Sequence, residues 1–269
     1  MNLEKLCFEV QEIARLAGAF IAGEREKFNL EDVEVKGKAN FVSYVDKQAE
    51  QLIVDALHRL LPGSGCIAEE GTASSTTENY KWIIDPLDGT TNFIHGLPPF
   101  AVSIALMDED ELVLGVVYEI TQKECFYAWK GSKAFLNGKE IKVSTAATTS
   151  DSLIATGFPY YEFEKLDAYV SAMRHFMIHS HGLRRLGSAA TDLAYIAAGR
   201  FEAFFEQGLK PWDVAAGAVI IRQAGGKVSD FKGGENFLFN GEMVAANGAY
   251  FDEFYDIVHK YFVENQELN

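Results

Sequence analysis

Two aspartates stand three residues apart in the segment Trp82-Ile83-Ile84-Asp85-Pro86-Leu87-Asp88-Gly89-Thr90-Thr91-Asn92-Phe93. An apolar strand ends in an acid, and a second acid follows at a Gly-Thr turn. Pro86 argues against continuation of that strand within a central ladder. Carboxylates that converge at a strand end repel each other unless a cation or a proton lies between them. Hard oxygen donors of this kind suit Mg²⁺ or Mn²⁺ better than a thiol-seeking metal. The same pattern, an apolar element followed by an acid, occurs twice more. Cys66-Ile67-Ala68 runs into Glu69-Glu70-Gly71, and Asp213 opens a small-residue helix in Lys210-Pro211-Trp212-Asp213-Val214-Ala215-Ala216. Singly, each acid has an ordinary explanation as a turn former, a solvated loop residue or a partner for a helix dipole. Their recurrence points to one metal-binding cluster. Adjacent side chains in an extended segment point to opposite sides, so one of Glu69 and Glu70 is expected to be a principal ligand; spacing does not choose between them.

These acids need elements to position them. Leu3, Leu6, Val10, Ile13, Ala17 and Ile21 recur at helical spacing and predict a helix over residues 3–22. The polar stretch Glu24 to Lys38 reads first as a solvated loop and second as a lid over a metal site. Asp46 precedes a second helical pattern that Pro62-Gly63 stops, and there it serves equally well as a helix-start carboxylate. Strands are predicted at Trp82–Ile84, Phe100–Met107, Leu112–Tyr118, Glu124–Trp129 and Glu140–Val143, with Asn137-Gly138 as a hairpin signal. Short turns between them imply an antiparallel sheet up to about residue 143. Beyond Ser144, strands at Leu153–Thr156, Phe201–Phe205 and Met243–Ala246 alternate with helices at Phe163–Ile178, Ser188–Ala198, Pro211–Ala224 and Tyr250–Phe262. The expectation is an α+β half over 1–143, carrying most of the acids, and a smaller α/β half over 144–269, carrying Asp213. No Pro-, Gly- or Ser-rich linker separates them, so they should form one compact unit.

Composition narrows the function. Lys+Arg 24 against Asp+Glu 39 gives a net charge of −15, which supplies no global attraction to nucleic acid or to an anionic bilayer. Three scattered cysteines without a C-x-x-C offer neither a disulfide framework nor a zinc ribbon. Glu4, Lys5, Glu9, Glu12 and Arg15 exclude a signal peptide at the N-terminus. Apolar runs such as Val214 to Ile221 fall far short of the roughly 20 residues of a membrane span. A cytoplasmic protein without membrane contact is expected. There is no G-x-S-x-G and no G-x-x-x-x-G-K-[ST], so neither an activated serine nor a P-loop is on offer. Two residues separate Asp85 from Asp88, so this pair does not match the D-x-D of a haloacid-dehalogenase-type phosphatase, and that reading is set aside. His179-Ser180-His181 reads as a solvated connector. Arg184-Arg185 reads equally as a contact to an anionic substrate or dimer mate and as a charged capping pair.

The segment Trp82 to Phe93 matches the pattern W-I-x-D-P-[LI]-D-G-T-T-N-F throughout. With Ala68-Glu69-Glu70-Gly71 and with Pro211-Trp212-Asp213 leading to Ala224-Gly225-Gly226, the whole chain resembles the inositol monophosphatase family of Mg²⁺-dependent, lithium-sensitive phosphatases, its bacterial cytoplasmic members above all. The family's G-E-E is met here as Ala68-Glu69-Glu70. The resemblance implies a layered αβαβα sandwich of the sugar-phosphatase type. It assigns a first metal to Glu69, Asp85 and the Leu87 carbonyl, a second to Asp85, Asp88 and Asp213, and a weaker third near Glu69. That makes two or three Mg²⁺ per site, with Mn²⁺ as a substitute. It thereby chooses Glu69 over Glu70. Thr90, with Asp46 or Glu69, is implied to orient the attacking water, and the amides of Gly89 and Thr90 to cradle the phosphate. Gly187, Ser188, Ala189, Glu206 and Asp213 are implied to bind the alcohol. A family lysine before Asp46 corresponds to Lys36 or Lys38.

The implied reaction is hydrolysis of inositol 1-phosphate, or of a related small polyol or sugar phosphate, by metal-activated water without a covalent intermediate. The implied assembly is a homodimer. Nucleotide 3′-phosphatases of the same superfamily read D-G-T-K-E-F where this chain has Asp88 to Phe93, which favours an inositol-type alcohol. Fructose 1,6-bisphosphate and histidinol phosphate stand as alternatives. So does a regulatory protein-binding role, because bacterial members act on the transcription machinery.

Overall fold

A computed structural model describes residues 1–27, 33–35, 41–71, 78–158 and 163–264. Lys36 and Lys38 lie outside the described residues. Helix α1 (Leu3–Arg25) opens under Asn2, whose side chain accepts the Lys5 amide at 3.0 Å, and it buries the apolar stripe that its spacing predicts. Strands β1 (Val33–Val35) and β2 (Phe41–Ser43) pair antiparallel. Helix α2 (Tyr44–Leu60) follows, with Asp46 in its first turn.

A seven-stranded sheet then runs in chain order: β3 (Gly65–Ala68), β4 (Tyr80–Asp88), β5 (Ala101–Asp108), β6 (Glu111–Glu119), β7 (Glu124–Trp129), β8 (Ala134–Leu136) and β9 (Lys139–Ile141). The short helix α3 (Thr90–His95) lies between β4 and β5. Two expectations need correction. The sheet is not wholly antiparallel, because β3 lies parallel to β4. Nor does Pro86 end β4. The strand continues to Asp88, which pairs with Ala101, and the register shifts between Asp85 and Asp88. Pro86 and Leu87 fall inside that irregularity, where the ladder asks for no proline N–H.

The second sheet is built from β10 (Leu153–Thr156), β11 (Gly182–Arg184), β12 (Ala203–Gln207), β13 (Gly226–Ser229) and β14 (Glu242–Asn247), in the order β11-β10-β12-β14-β13. Strand β10 is parallel to β11 and β12, whereas β14 is antiparallel to β12 and β13. Helices α4 (Leu166–His179), α5 (Ala189–Ala197), α6 (Pro211–Gln223), α7 (Phe237–Asn240) and α8 (Phe251–Phe262) complete the described chain.

Three apolar clusters define the layers. Helices α1 and α2 cover one face of the seven-stranded sheet through Val10, Ile53, Trp82 and Ile84. Helices α5 and α6 fill the space between the two sheets, joining Ile83 and Ala105 to Phe204 and Ala245. Helices α4 and α8 close the far side with Phe176, Phe205 and Phe254. The architecture is the expected αβαβα sandwich. Strand alternation follows from it: Ile83 faces the central helices and Ile84 faces α1 and α2. Asp85 therefore falls on the central side, toward α6.

Candidate active site

The site forms where β4 breaks its ladder. The Leu87 amide donates to Asp85 Oδ1 at 2.9 Å, closing a two-residue turn on the strand's own acid. The Thr90 hydroxyl donates to the Leu87 carbonyl at 2.9 Å. Between them Gly89 has φ +92°, and a Cβ there would lie 3.0 Å from the Pro99 carbonyl and 3.2 Å from that of Gly187. Both the left-handed backbone and the close approach require glycine. Asn92 braces the same junction, donating to the carbonyls of Pro99 and Leu186 at 2.8 Å each.

The central helices bring the remaining acids. Ser188 caps α5 and donates to Asp88 Oδ2 at 2.6 Å, and the Ala190 amide reaches the same oxygen at 2.7 Å. Asp213, the third residue of α6, accepts the Lys210 amide at 2.7 Å, so it caps the helix as expected of an acid at that position. Ser103 stands opposite Asp85 in the β4–β5 ladder, and its hydroxyl donates to the Trp212 carbonyl at 3.0 Å. That bond fixes the start of α6 beside Asp85. One carboxylate oxygen from each of Asp85, Asp88 and Asp213 then lies within 4.8 Å of the others.

Alternation also separates the two glutamates. Cys66 and Ala68 face α1 and α2 while Ile67 faces the central helices, so Glu69 falls on the side of Asp85. Its charge acts on both Asp85 and Asp213. Glu70 lies toward α2, where its amide donates to Glu50 Oε2 at 2.7 Å. Glu50, fully buried one turn beyond Asp46, is a site support that sequence reasoning missed. Asp46 itself is buried in the first turn of α2.

Burial dominates the electrostatics. Asp85 is pushed well above the ordinary carboxylate range, first by desolvation and then by the charges of Glu69, Asp88 and Asp213. Asp213 is raised for the same reason, with Asp88 and Glu69 as its repelling neighbours. Asp88 is pushed only to about 6, since Ser188, the amides of Ala190 and Ala189, and the Arg185 charge oppose its desolvation. A cluster of buried oxygens that hold protons this tightly is short of positive charge. Its donor set, carboxylates with a free carbonyl lone pair at Leu87 and no thiol or imidazole, fits Mg²⁺ or Mn²⁺.

A second group of acids lies beside the first. Glu206, on the same face of β12 as Phe204, points to the central layer; burial raises it to about 8, with Arg185 opposing. Its carboxylate occupies the space that a side chain at Gly157 would fill. Asp192 lies one turn beyond Ser188 in α5, 1% exposed. Sequence reasoning missed Gly157 and Asp192; an acid on the apolar face of Ala189–Ala197 was the available signal. The arginine pair divides. Arg184 is exposed on the edge strand β11, whereas the Arg185 charge acts on Asp88, Asp192 and Glu206. Of the residues implied to meet the alcohol, Gly187 has φ +89°, Ala189 is buried at the start of α5, and the Ser188 hydroxyl is turned to Asp88.

A family model described as the inositol monophosphatase family matches residues 2–265. The chain belongs to that family. Its relatives include the Nus factor SuhB of Escherichia coli, 44% identical over 235 residues that cover 87% of this chain and 88% of that one. The inositol-1-monophosphatase of Mesorhizobium japonicum is 44% identical over 216 residues, covering 80% and 81%. Among solved structures, the extragenic suppressor protein suhB of Bartonella henselae superposes with a TM-score of 0.88 at 37% identity, covering 95% of this chain and 99% of that one. The Thermotoga maritima IMPase gives 0.87 at 34%, covering 99% and 100%. Family membership carries the coarse chemistry with it: metal-dependent hydrolysis of a phosphate ester. Among the described residues, no helix is long and apolar enough to cross a membrane.

Proposed function

We propose that the protein hydrolyses inositol 1-phosphate, or a closely related polyol monophosphate, to the alcohol and inorganic phosphate. One observation carries this reading: Asp85, Asp88 and Asp213 converge within 4.8 Å at the break in β4. It is supported by 44% identity to a protein named inositol-1-monophosphatase. Monoester dianions repel nucleophiles and hydrolyse extremely slowly unaided. Two or three Mg²⁺, held by Glu69, Asp85, the Leu87 carbonyl, Asp88 and Asp213, would neutralise the phosphoryl oxygens and lower the pKa of a bound water.

The chain's own residues supply order. Leu87, Ser188, Ala190 and Lys210 hold the three aspartates by the hydrogen bonds already described, so little reorganisation is needed at reaction. The Thr90 hydroxyl, tethered to the Leu87 carbonyl, and buried Asp46 orient the attacking water. The amides of Gly89 and Thr90 face the phosphate. On the alcohol side, Glu206 accepts a substrate hydroxyl, with Gly187, Ser188 and Ala189 forming the adjoining wall. The enzyme works in the cytoplasm, a setting that suits its three buried, free cysteines. It works as a homodimer, supported by an exposed apolar stripe of Leu166, Val170, Met177 and Ile178 along α4.

The test is a phosphate-release panel with inositol 1-phosphate, fructose 1,6-bisphosphate, histidinol phosphate and a nucleotide 3′-phosphate. Activity should need Mg²⁺ or Mn²⁺, favour the inositol ester and fall with Li⁺ or Ca²⁺. Full turnover in a chelator would sink the metal mechanism, and a monomeric mass by light scattering would sink the dimer. A second reading, a protein-binding regulatory role, is favoured by the 44% identity to proteins named Nus factor SuhB. It would win if a protein partner stayed bound after the three aspartates were neutralised while the wild type released no phosphate.

A further inference from the structure

Helix α4 ends in a pair of side chains that the phosphate chemistry leaves unused. His175 and His179 stand four residues apart, so both project from the same side of its last turns. Their ring centres lie 4.7 Å apart, with the planes inclined at 50°. Histidines at i and i+4 on one helix can grip a single metal ion between them, the spacing that zinc sites use. His179 is exposed and His175 half-buried, so the pair opens to solvent and does not fill the core.

His175 is also held in place. Helix α8 brings the Tyr261 hydroxyl to 3.5 Å from its Nδ1, and the Tyr261 and Phe176 ring centres lie 5.9 and 5.5 Å from its own. One ring nitrogen is thereby engaged and Nε2 is left for an ion. An outer partner of this kind fixes the orientation of a metal-binding imidazole. Burial, with the charges of His179 and Lys260, lowers His175 below the ordinary histidine range, and Glu253 opposes them. The neutral imidazole is the form that binds metal. His179 closes α4, where the last carbonyls carry the negative end of the helix dipole and favour a cation.

The donors separate this place from the aspartate cluster. Among the described residues, Asp85, Asp88 and Asp213 form the only group of three or more acids, cysteines or histidines close enough to share an ion. No third side chain of these types therefore joins His175 and His179, and the rest of a coordination shell is open to water. Carboxylate oxygens suit Mg²⁺, whereas imidazole nitrogens suit Zn²⁺, Ni²⁺ and Cu²⁺. Helical spacing turns the pair about 140–180° away from Val170 and Met177, so it is no part of the apolar stripe.

We infer that His175 and His179 form a second metal site, for one dication of the Zn²⁺ class, at the end of α4. The site is separate from the aspartates and stands whether or not the protein hydrolyses inositol 1-phosphate. A bound ion links two successive turns and fastens the end of α4, from which the chain passes to the edge strand β11.

The experiment titrates the whole chain with Zn²⁺ in saturating Mg²⁺ and follows the histidine side chains by NMR. The aspartate cluster holds no imidazole, so an ion bound there ligates no histidine. Two of the six histidines should respond first, and they should be His175 and His179. His175→Ala and His179→Ala should each weaken Zn²⁺ binding, read from the remaining imidazole, by at least about tenfold, because a single ligand loses the chelate advantage. His181→Ala should leave it unchanged, since His181 lies beyond the helix and is not part of the pair. A smaller loss in either of the first two variants, a comparable loss in His181→Ala, or a response confined to other histidines overturns the inference. His179 is exposed, so His179→Ala decides the point even if His175→Ala fails to fold.

Discussion

The two sides of the site are built differently. On the metal side, Asp85, Leu87, Asp88, Gly89 and Thr90 come from six consecutive residues, and each aspartate accepts at least one short hydrogen bond, mostly from backbone amides. On the alcohol side, Gly157, Arg185, Asp192 and Glu206 come from four separate elements or their ends, and among the described residues no donor reaches Asp192 Oδ1. Backbone donors are set by local geometry, so a short motif can fix them wherever it occurs. A charge balance among Arg185, Asp192 and Glu206 exists only after the five-stranded sheet and α5 have packed. The first device is legible in a short motif, whereas the second needs the packed fold.

The largest expected effect breaks the metal side. Asp213→Asn keeps an oxygen that can accept the Lys210 amide from the third helical position, as the acid does in its half of the capping box. It also removes one of the mutually repelling charges. The melting temperature in chelator should hold or rise, while kcat at saturating Mg²⁺ falls roughly 10²-fold or more. Turnover within a few-fold of wild type would reduce Asp213 to a helix cap.

A pH series separates the sides without mutation. In the unfolded chain Asp88 titrates near 3.8 and Glu206 near 4.5; in the metal-free fold they are pushed to about 6 and about 8. Between those values the folded protein holds protons that the unfolded chain has released. Stability must therefore fall as pH rises, from just above pH 4 until it levels off near 8. The loss should be several kcal/mol, about 3 from Asp88 and about 5 from Glu206 at ~1.4 kcal/mol per pKa unit, read as the unfolding midpoint in urea. Saturating Mg²⁺ should remove the share of that slope that belongs to Asp88, Asp85 and Asp213, and leave the share of Glu206, which runs from about 4.5 to about 8. A slope that Mg²⁺ abolishes throughout would mean that Glu206 is tied to the metal side.

The same contrast decides what the sequence discloses. The segment from Trp82 to Phe93 names the metal side because its geometry is local, and the amphipathic patterns of α1 and α2, with the unbroken apolar run Val214 to Ile221 of α6, place the layers. Strands β8, β11 and β13 escape because three or four residues, some polar, carry no period to read. Pro86 misleads, since a bulge removes the donor that the ladder would have required. The choice between Glu69 and Glu70 needs the facing of β3, which only the packed helices define. Asp192 looks like one more helix residue until Glu206 and Arg185 arrive from elsewhere.

Gly157→Ala sharpens the alcohol side at smaller cost. The added methyl would take the space of the Glu206 carboxylate, and strand β10, parallel to β12, cannot move away without breaking its ladder. The carboxylate must rotate instead. KM for inositol 1-phosphate should rise roughly tenfold, with a smaller change for p-nitrophenyl phosphate. Equal losses on the two substrates would show that the methyl disturbs the metal side too.

The smallest effect falls on the residue that joins the two sides. Ser188 caps α5, accepting the Thr191 amide at 3.3 Å, and also donates to Asp88. Ser188→Ala removes both interactions. Loss of a cap costs typically about 1 kcal/mol, which in a protein of this size lowers the melting temperature by about 2–4 °C. Asp88 keeps the Ala190 amide on the same oxygen, so its position should survive and kcat should drop only a few-fold. Ser188→Thr retains a hydroxyl and should recover most of both losses. If activity fell by orders of magnitude while the melt barely moved, the hydroxyl would be acting on the substrate itself, and the wall between the two sides would belong to the reaction and not to the scaffold.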